Sequence, residues 1–223
     1  MFDIDGTICD TQEVEGRCYA QAIESVLGVS LSTLDWRTYE EPTSSAIVRD
    51  LLAGDLESVR KEEEIEREFV RLLEQERPRF PGDFTPLPGA VEFIFRLKDE
   101  AICPVAIATG CYQASARFKL KCCGIALDEF PHATSSDTPR RSDIIPLAAS
   151  RAGFPMSSVV YFGDAPWDVR VSSILGIPMI GIGRRVERLQ ELGVRHTFRD
   201  YTDPDRIFRV LFEQRKGPTN RCR

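Results

Sequence analysis

The sequence predicts an α/β protein with a parallel-sheet core and a helical insertion after the first strand. Three observations carry this. Short, continuous apolar runs rich in β-branched residues end in Thr-Gly, Gly-Asp or Gly. Helical stretches lie between these runs. A charged, helix-patterned segment at residues 13–86 breaks that rhythm. Strand–helix alternation winds into an open parallel sheet with right-handed crossovers, and buried parallel strands read as continuous apolar runs.

The first strand is expected at Met1-Phe2-Asp3-Ile4-Asp5-Gly6-Thr7. It is short for a central strand, which usually has about five residues. That brevity is expected to reflect natural residues missing upstream of Met1, or else a tolerated short strand. Helices follow at residues 13–27, 44–53 and 57–77. In the third, Ile65, Phe69, Leu72 and Leu73 recur at helical spacing, and the surrounding charges read as a solvated face. Pro78, Pro81-Gly82, Pro86 and Pro88 close the segment as a breaker-rich linker.

The core then resumes. A helix is expected at 89–100, with Val91, Ile94, Phe95 and Leu97 apolar. A strand at 104–108 leads to Thr109-Gly110, and a helix at 142–152 has Ser142 as its N-cap. Strands at 159–162 and 177–180 run into Gly163-Asp164 and Gly181. The polar tail at 215–223 is expected to be disordered. The resulting division is a core of residues 1–12 and 87–214 around a helical cap of residues 13–86.

Composition narrows the function. The chain has 223 residues and 42% hydrophobic content, enough for a core without staples. It has no apolar run of membrane-spanning length and no signal-peptide pattern. Its seven cysteines match no zinc spacing and read as free thiols in a reducing, cytoplasmic setting. His132 and His196 are its two histidines, so a His-based triad is disfavoured. The net charge is −6, and residues 13–86 carry 17 acidic and 9 basic side chains. That acidity disfavours a nucleic-acid backbone as partner.

The chemistry concentrates at four separate places. Asp3 and Asp5 sit at i and i+2, on one face of an extended strand. Crowded carboxylates repel, so one binds a cation, takes a proton, or both. Thr109 ends a second strand, and Asp164 ends a later one in Gly163-Asp164-Ala165-Pro166-Trp167-Asp168. Arg140-Arg141 precede the helix leading to that strand. In an open parallel sheet the strand C-termini share one edge, where ligands bind.

DxDGT, with these partners, resembles the haloacid dehalogenase-like (HAD) hydrolase superfamily, in its C1-capped, phosphoglycolate phosphatase-like subgroup. The resemblance covers nearly the whole chain. It implies a Rossmann-like core with a C1-type helical cap and a Mg²⁺-dependent phosphomonoesterase acting on a small phosphorylated metabolite. By that resemblance Asp3 is the nucleophile that forms an aspartyl-phosphate, and Asp5 is the general acid/base. Thr109 and the backbone near Gly110 bind phosphoryl oxygens. Asp164 binds Mg²⁺ with the Asp3 carboxylate and the Asp5 carbonyl, and Asp168 contacts the metal or orients its water. Where the family places a Lys, this chain offers Arg140 and Arg141. Arg141 is favoured, because Ser142-Asp143-Ile144-Ile145 then begins the helix.

The flanking residues divide between pocket and packing roles. Thr43, within Pro42-Thr43-Ser44-Ser45, is a candidate for substrate contact, and an N-cap explains it equally well. Arg49 reads as a surface residue, Cys111 as a small buried hydrophobe, and Trp167 as a shield or a packing group.

Neighbouring chemistries separate on residues. A dehalogenase lacks an acid two positions after its nucleophile, and Asp5 is present. A phosphonatase needs a cap Lys, and Lys61 sits in a charged helical run. A sugar-phosphate mutase shares every core residue named here, and a non-catalytic scaffold is the reading from another class. The expected protein is a monomer or homodimer, with no nucleic-acid or membrane partner.

Overall fold

The computed structural model describes residues 1–99 and 103–215. Its sheet is parallel throughout. Strand β1 (Ile107–Ala108) pairs with β2 (His132–Ala133) on one side, and β3 (Tyr161–Gly163), β4 (Met179–Ile182) and β5 (His196–Phe198) pair in order on the other. Phe2 joins the two halves. It forms parallel bridges to Ile107 and to Phe162, and the backbone closes on both sides: Phe2 N–H to Ala106 O at 3.0 Å and Asp3 N–H to Phe162 O at 3.0 Å. The expected first strand is thus present as a single central residue of pairing, flanked by β1 and β3.

Helices cover both faces. Helices α1 (Gln12–Leu27), α2 (Ser44–Leu51) and α3 (Ser58–Glu76) come first; α4 (Ala90–Asp99), α5 (Gln113–Cys122), α6 (Arg141–Arg151), α7 (Pro166–Leu175), α8 (Val186–Glu191) and α9 (Pro204–Arg215) follow. The chain enters and leaves the first three side by side. Leu87 N–H bonds Ile8 O at 2.8 Å, and Asp10 N–H bonds Thr85 O at 2.9 Å.

The apolar residues sort into distinct clusters. Phe2, Ile4, Ile94, Ile107 and Phe162 pack under one face of the sheet, where the Phe2 and Phe162 rings stack with centroids 4.5 Å apart. Ile144, Ile145, Ala148 and Tyr161 fill the other face. Helices α1 and α3 surround a third cluster that includes Tyr19, Ile23, Ile65, Phe69 and Leu73. The charged α3 buries Ile65, Phe69, Leu72 and Leu73, the stripe read from its sequence.

Boundaries differ from expectation by up to three residues: the strands expected at 104–108, 159–162 and 177–180 pair over Ile107–Ala108, Tyr161–Gly163 and Met179–Ile182. The helix expected at 44–53 ends at Leu51. The helix expected at 142–152 begins one residue early. Arg140, with extended backbone, is its N-cap position, and no side chain caps it. Asp143 and Ile144 N–H both bond Arg140 O, at 2.9 and 3.0 Å, so Ser142 is already helical and caps nothing. Arg141 therefore becomes the first helical residue. The tail expected at 215–223 lies outside the described residues, apart from Arg215 at the end of α9. Among the described residues, no helix is long and apolar enough to cross a membrane, and Cys9, Cys18, Cys103, Cys111, Cys122 and Cys123 form no disulfide.

Candidate active site

Because the strands run parallel, their C-terminal ends deliver Asp3 after Phe2, Thr109 after Ala108 and Asp164 after Gly163 to one edge. Asp3, Asp164 and Asp168 are all buried there, each offering a carboxylate oxygen within 4.8 Å of the others. Two glycines permit the approach. Gly6 turns the chain after Asp5 with φ +73°, and a Cβ there would collide with Gln12 and Asp164. A Cβ on Gly110 would lie 2.5 Å from Arg141 Nη2.

Arg141 binds the acidic group from the side. Its Nη1 donates to Asp3 Oδ2 at 3.2 Å, Asp168 Oδ1 at 3.2 Å and Tyr161 Oη at 3.3 Å. Arg140, by contrast, is exposed. Asp168 is saturated with bonds: its Oδ2 accepts from the N–H of Asp164 and of Ala165, both at 3.1 Å. It fixes the loop that presents Asp164.

Burial raises the Asp164 carboxyl well above the usual carboxylate range, and the charges of Asp168 and Asp3 add to this. Burial likewise pushes Asp168 up to about 7, against the opposing pull of Arg141. This is the electrostatic condition of a site short of positive charge. The donors are all hard oxygens, the set that suits Mg²⁺.

Asp5 belongs to a second cluster. Lys119 on α5 is fully buried, and its Nζ reaches Asp5 Oδ1 at 2.8 Å, Asp5 Oδ2 at 2.6 Å and Glu15 Oε1 at 2.8 Å. Cys111 Sγ donates to Asp5 Oδ2 at 2.8 Å, and Thr11 Oγ1 donates to Asp5 Oδ1. Burial acts to raise the Asp5 pKa, but the Lys119 ammonium and the hydrogen bonds outweigh it and hold Asp5 below the ordinary range. Burial and the Asp5 charge push Glu15 up to about 8. The Asp5–Glu15 pair therefore keeps one proton near neutral pH. Burial opposes the Lys119 charge, and Asp5 first, with Cys111 and Glu15 beside it, reverses that, raising its pKa well above normal.

Sequence reasoning passed over Lys119, Glu15, Gln12 and Tyr161. A signal for Lys119 existed. Ser115, Ala116, Lys119 and Leu120 are the buried positions of α5, a helical stripe that includes the lysine.

A cavity of about 760 Å³ opens over both clusters, lined by Asp3, Asp5, Thr109, Gly110, Arg141 and Asp164, and also by Trp167 and Thr43. The start of α2 meets the sheet edge here. Ser44 N–H bonds Gly110 O at 2.8 Å, and Thr43 Oγ1 donates to Pro139 O at 2.6 Å while accepting from Ala46 N–H at 3.2 Å. Thr43 is thus the N-cap of α2, with its hydroxyl engaged. Thr109 Oγ1 lies 3.2 Å from Cys111 Sγ. Arg49 points instead to Glu62, at 3.0 Å on the surface.

Comparison with solved structures gives the same fold at low sequence identity. A hydrolase from Pseudomonas syringae superposes with TM-score 0.70 and 21% identity, covering 94% of this chain and 96% of that one. CbbY from Rhodobacter sphaeroides, solved in complex with phosphate, gives 0.66 and 20% over 91% and 93%. A β-phosphoglucomutase from Clostridium difficile gives 0.70 and 17% over 95% and 96%. No curated protein matches the sequence. The family model for haloacid dehalogenase-like hydrolases matches residues 1–172. With that match over most of its length, the chain belongs to the haloacid dehalogenase-like hydrolase family.

Proposed function

We propose that this hydrolase is a Mg²⁺-dependent phosphomonoesterase acting on a small phosphorylated metabolite. The observation that carries the reading is the gathering of Asp3, Asp164 and Asp168 within 4.8 Å, against one buried guanidinium and an open cavity. Three carboxylates facing one cation leave room for a second positive charge. Asp3 and Asp164, with the Asp5 carbonyl, would hold Mg²⁺, and Asp168 would brace Asp164 or orient a bound water. Bound there, the ion offsets the phosphate charge that otherwise repels a carboxylate nucleophile.

The chain's own groups then divide the work. The phosphoryl group is held by Thr109 Oγ1, by the N–H groups near Gly110 and by Arg141. Arg is always charged and grips phosphate with two donors at once. An Asp3 oxygen attacks phosphorus, the bond to the leaving oxygen breaks, and that oxygen takes up the one proton held by the Asp5–Glu15 pair, which passes to it through Asp5. In the second half Asp5 takes a proton from water, which attacks the aspartyl-phosphate and frees phosphate and Asp3. Positioning and charge stabilisation are the main requirements of phosphoryl transfer. Thr43 and the rest of the cap wall would contact the remainder of the metabolite.

A second reading, a sugar-phosphate mutase, draws support from the cavity wall, where Arg17, Arg37, Arg185 and Arg188 could meet a second anionic group. Incubation with a hexose 1-phosphate and its bisphosphate tells them apart: a phosphatase yields free phosphate and a mutase yields isomer. For the leading reading, hydrolysis of an aryl phosphate with Mg²⁺ is expected, abolished by chelator. Asp3→Asn should cost on the order of 10³-fold or more, as loss of a nucleophile does. Undiminished hydrolysis by Asp3→Asn would remove Asp3 from its role.

A further inference from the structure

The carboxyl assigned to proton transfer is held from beneath. Lys119 Nζ spans both Asp5 oxygens, at 2.8 and 2.6 Å, and spends its remaining reach on Glu15 Oε1 at 2.8 Å and Cys111 Sγ at 3.1 Å. Asp5, Glu15 and Cys111 all line the cavity, whereas Lys119 does not. The lysine is therefore behind Asp5 and out of reach of substrate. Its own helix also carries Arg117 and Lys121; Arg117 is exposed and pairs with Asp128 at the surface.

Burying an ammonium strips away hydration that its partners must replace. A surface salt bridge would serve stability at less expense. Here the whole donor capacity of the buried cation converges on one side chain and the two groups touching it. Thr11 Oγ1 adds a further donor to Asp5 Oδ1. The carboxyl is thus fixed on three sides, by Thr11, Cys111 and Lys119, and is free toward the cavity. Glu15 ties the same lysine to α1, so a cap helix and a core helix clasp Asp5 together.

We propose that Lys119 is a positioning residue for Asp5, braced by Glu15, and that it sets how well Asp5 protonates the leaving oxygen. The inference rests on the phosphatase reading with Asp5 as the acid. A positioning role for the acid makes a specific demand. Its loss should hurt substrates whose leaving oxygen needs a proton and spare those whose leaving group departs as a stable anion. A merely structural role would lower both alike.

The test compares kcat/KM, which reports transfer to Asp3, for an alkyl phosphate and for 2,4-dinitrophenyl phosphate, with Mg²⁺ present. Lys119→Met is expected to lower the alkyl value by about 10²-fold and the dinitrophenyl value by about threefold or less, the range of lost general acid catalysis. Glu15→Gln, a milder change that keeps the lysine, is expected to give the same split at about tenfold. It serves as the test if Lys119→Met does not fold by circular dichroism. Equal losses on both substrates, or no loss on the alkyl phosphate, would overturn the positioning role and leave the phosphatase reading intact. A wild-type chain inactive on both substrates would overturn the phosphatase reading and this proposal together.

Discussion

Asp3 and Asp5 are two residues apart, yet they belong to clusters that neutralise charge in different ways. Around Asp3, three buried carboxylates face one guanidinium, and Asp164 and Asp168 are driven toward their protonated forms. Around Asp5, two carboxylates share an internal ammonium, and the Asp5–Glu15 pair retains one proton. The second cluster balances itself. The first keeps an excess of negative charge: besides Arg141, Gln12 donates to Asp164 and the charge of Arg185 acts on it. The comparison teaches that proximity of acids is not enough to mark a metal centre: Asp5, Glu15 and Cys111 are also close together, but Lys119 already fills the place a cation would take.

The sharpest way to break this contrast is to remove the one cation from the Asp3 side. Arg141→Ala leaves Asp3 and Asp168 buried without their partner. It is expected to cost about 3–5 kcal/mol of stability, as breaking a buried ion pair does. Denaturant unfolding measures it. Activity should fall by about 10²- to 10³-fold, as when a charge-stabilising donor is lost, with Arg141→Lys retaining part of it. A drop no larger than that of Arg60→Ala, a surface pair on α3, would mean that the guanidinium does not hold the site.

A smaller effect sharpens the comparison through pH. Glu15 and Asp168 have folded-state pKa values raised to about 8 and about 7. Groups raised in the folded state stabilise it below their unfolded pKa and lose that contribution as pH rises through the folded value. Melting of the chelated protein should therefore fall between about pH 4.5 and pH 8. Asp5 shifts the other way, and its contribution is lost only in acid, below the ordinary Asp range. Mg²⁺ needs deprotonated ligands, so it should raise the melting temperature more at pH 8 than at pH 5. At a hundredfold excess over its dissociation constant it should add about 2.7 kcal/mol. Equal stabilisation at both pH values would show that the raised carboxyls are not the ligands.

The smallest expected effect lies at the start of α2. Thr43→Ala removes an N-cap bond and the bond to Pro139, and should cost about 1 kcal/mol. A rise in KM beyond what that loss explains would give Thr43 a substrate contact as well.

Local chemistry made part of this legible in the sequence. Asp3, Asp5 and Asp164 stand at strand ends, where apolar runs give way to glycine, and the topology needs only parallel pairing to join them. Arg141 was distinguishable from Arg140 by the helix start. The Ser142 cap was misread because a cap is a backbone event: Arg140 supplies the accepting carbonyl with no help from its side chain. Strands β2 and β5 escaped notice because His132–Ala133 and His196–Phe198 are too short for a period to register. Lys119 was hidden for a different reason. Between Arg117 and Lys121 it looks like one more solvated charge, and only the register of Ser115, Ala116 and Leu120 reveals that it points inward. Its acceptors come from positions 5 and 15, over a hundred residues away, a distance no local pattern spans.

The pairing at Phe2 carries one further consequence. A lone residue zips β1 to β3, and Asp3, the carboxylate we propose as nucleophile, is the very next one in the chain. Opening that zip would part the sheet into two ribbons and cast Asp3 adrift in the same event, so the amide hydrogens of Asp3, Ala108 and Phe162, which close it, should exchange with solvent together.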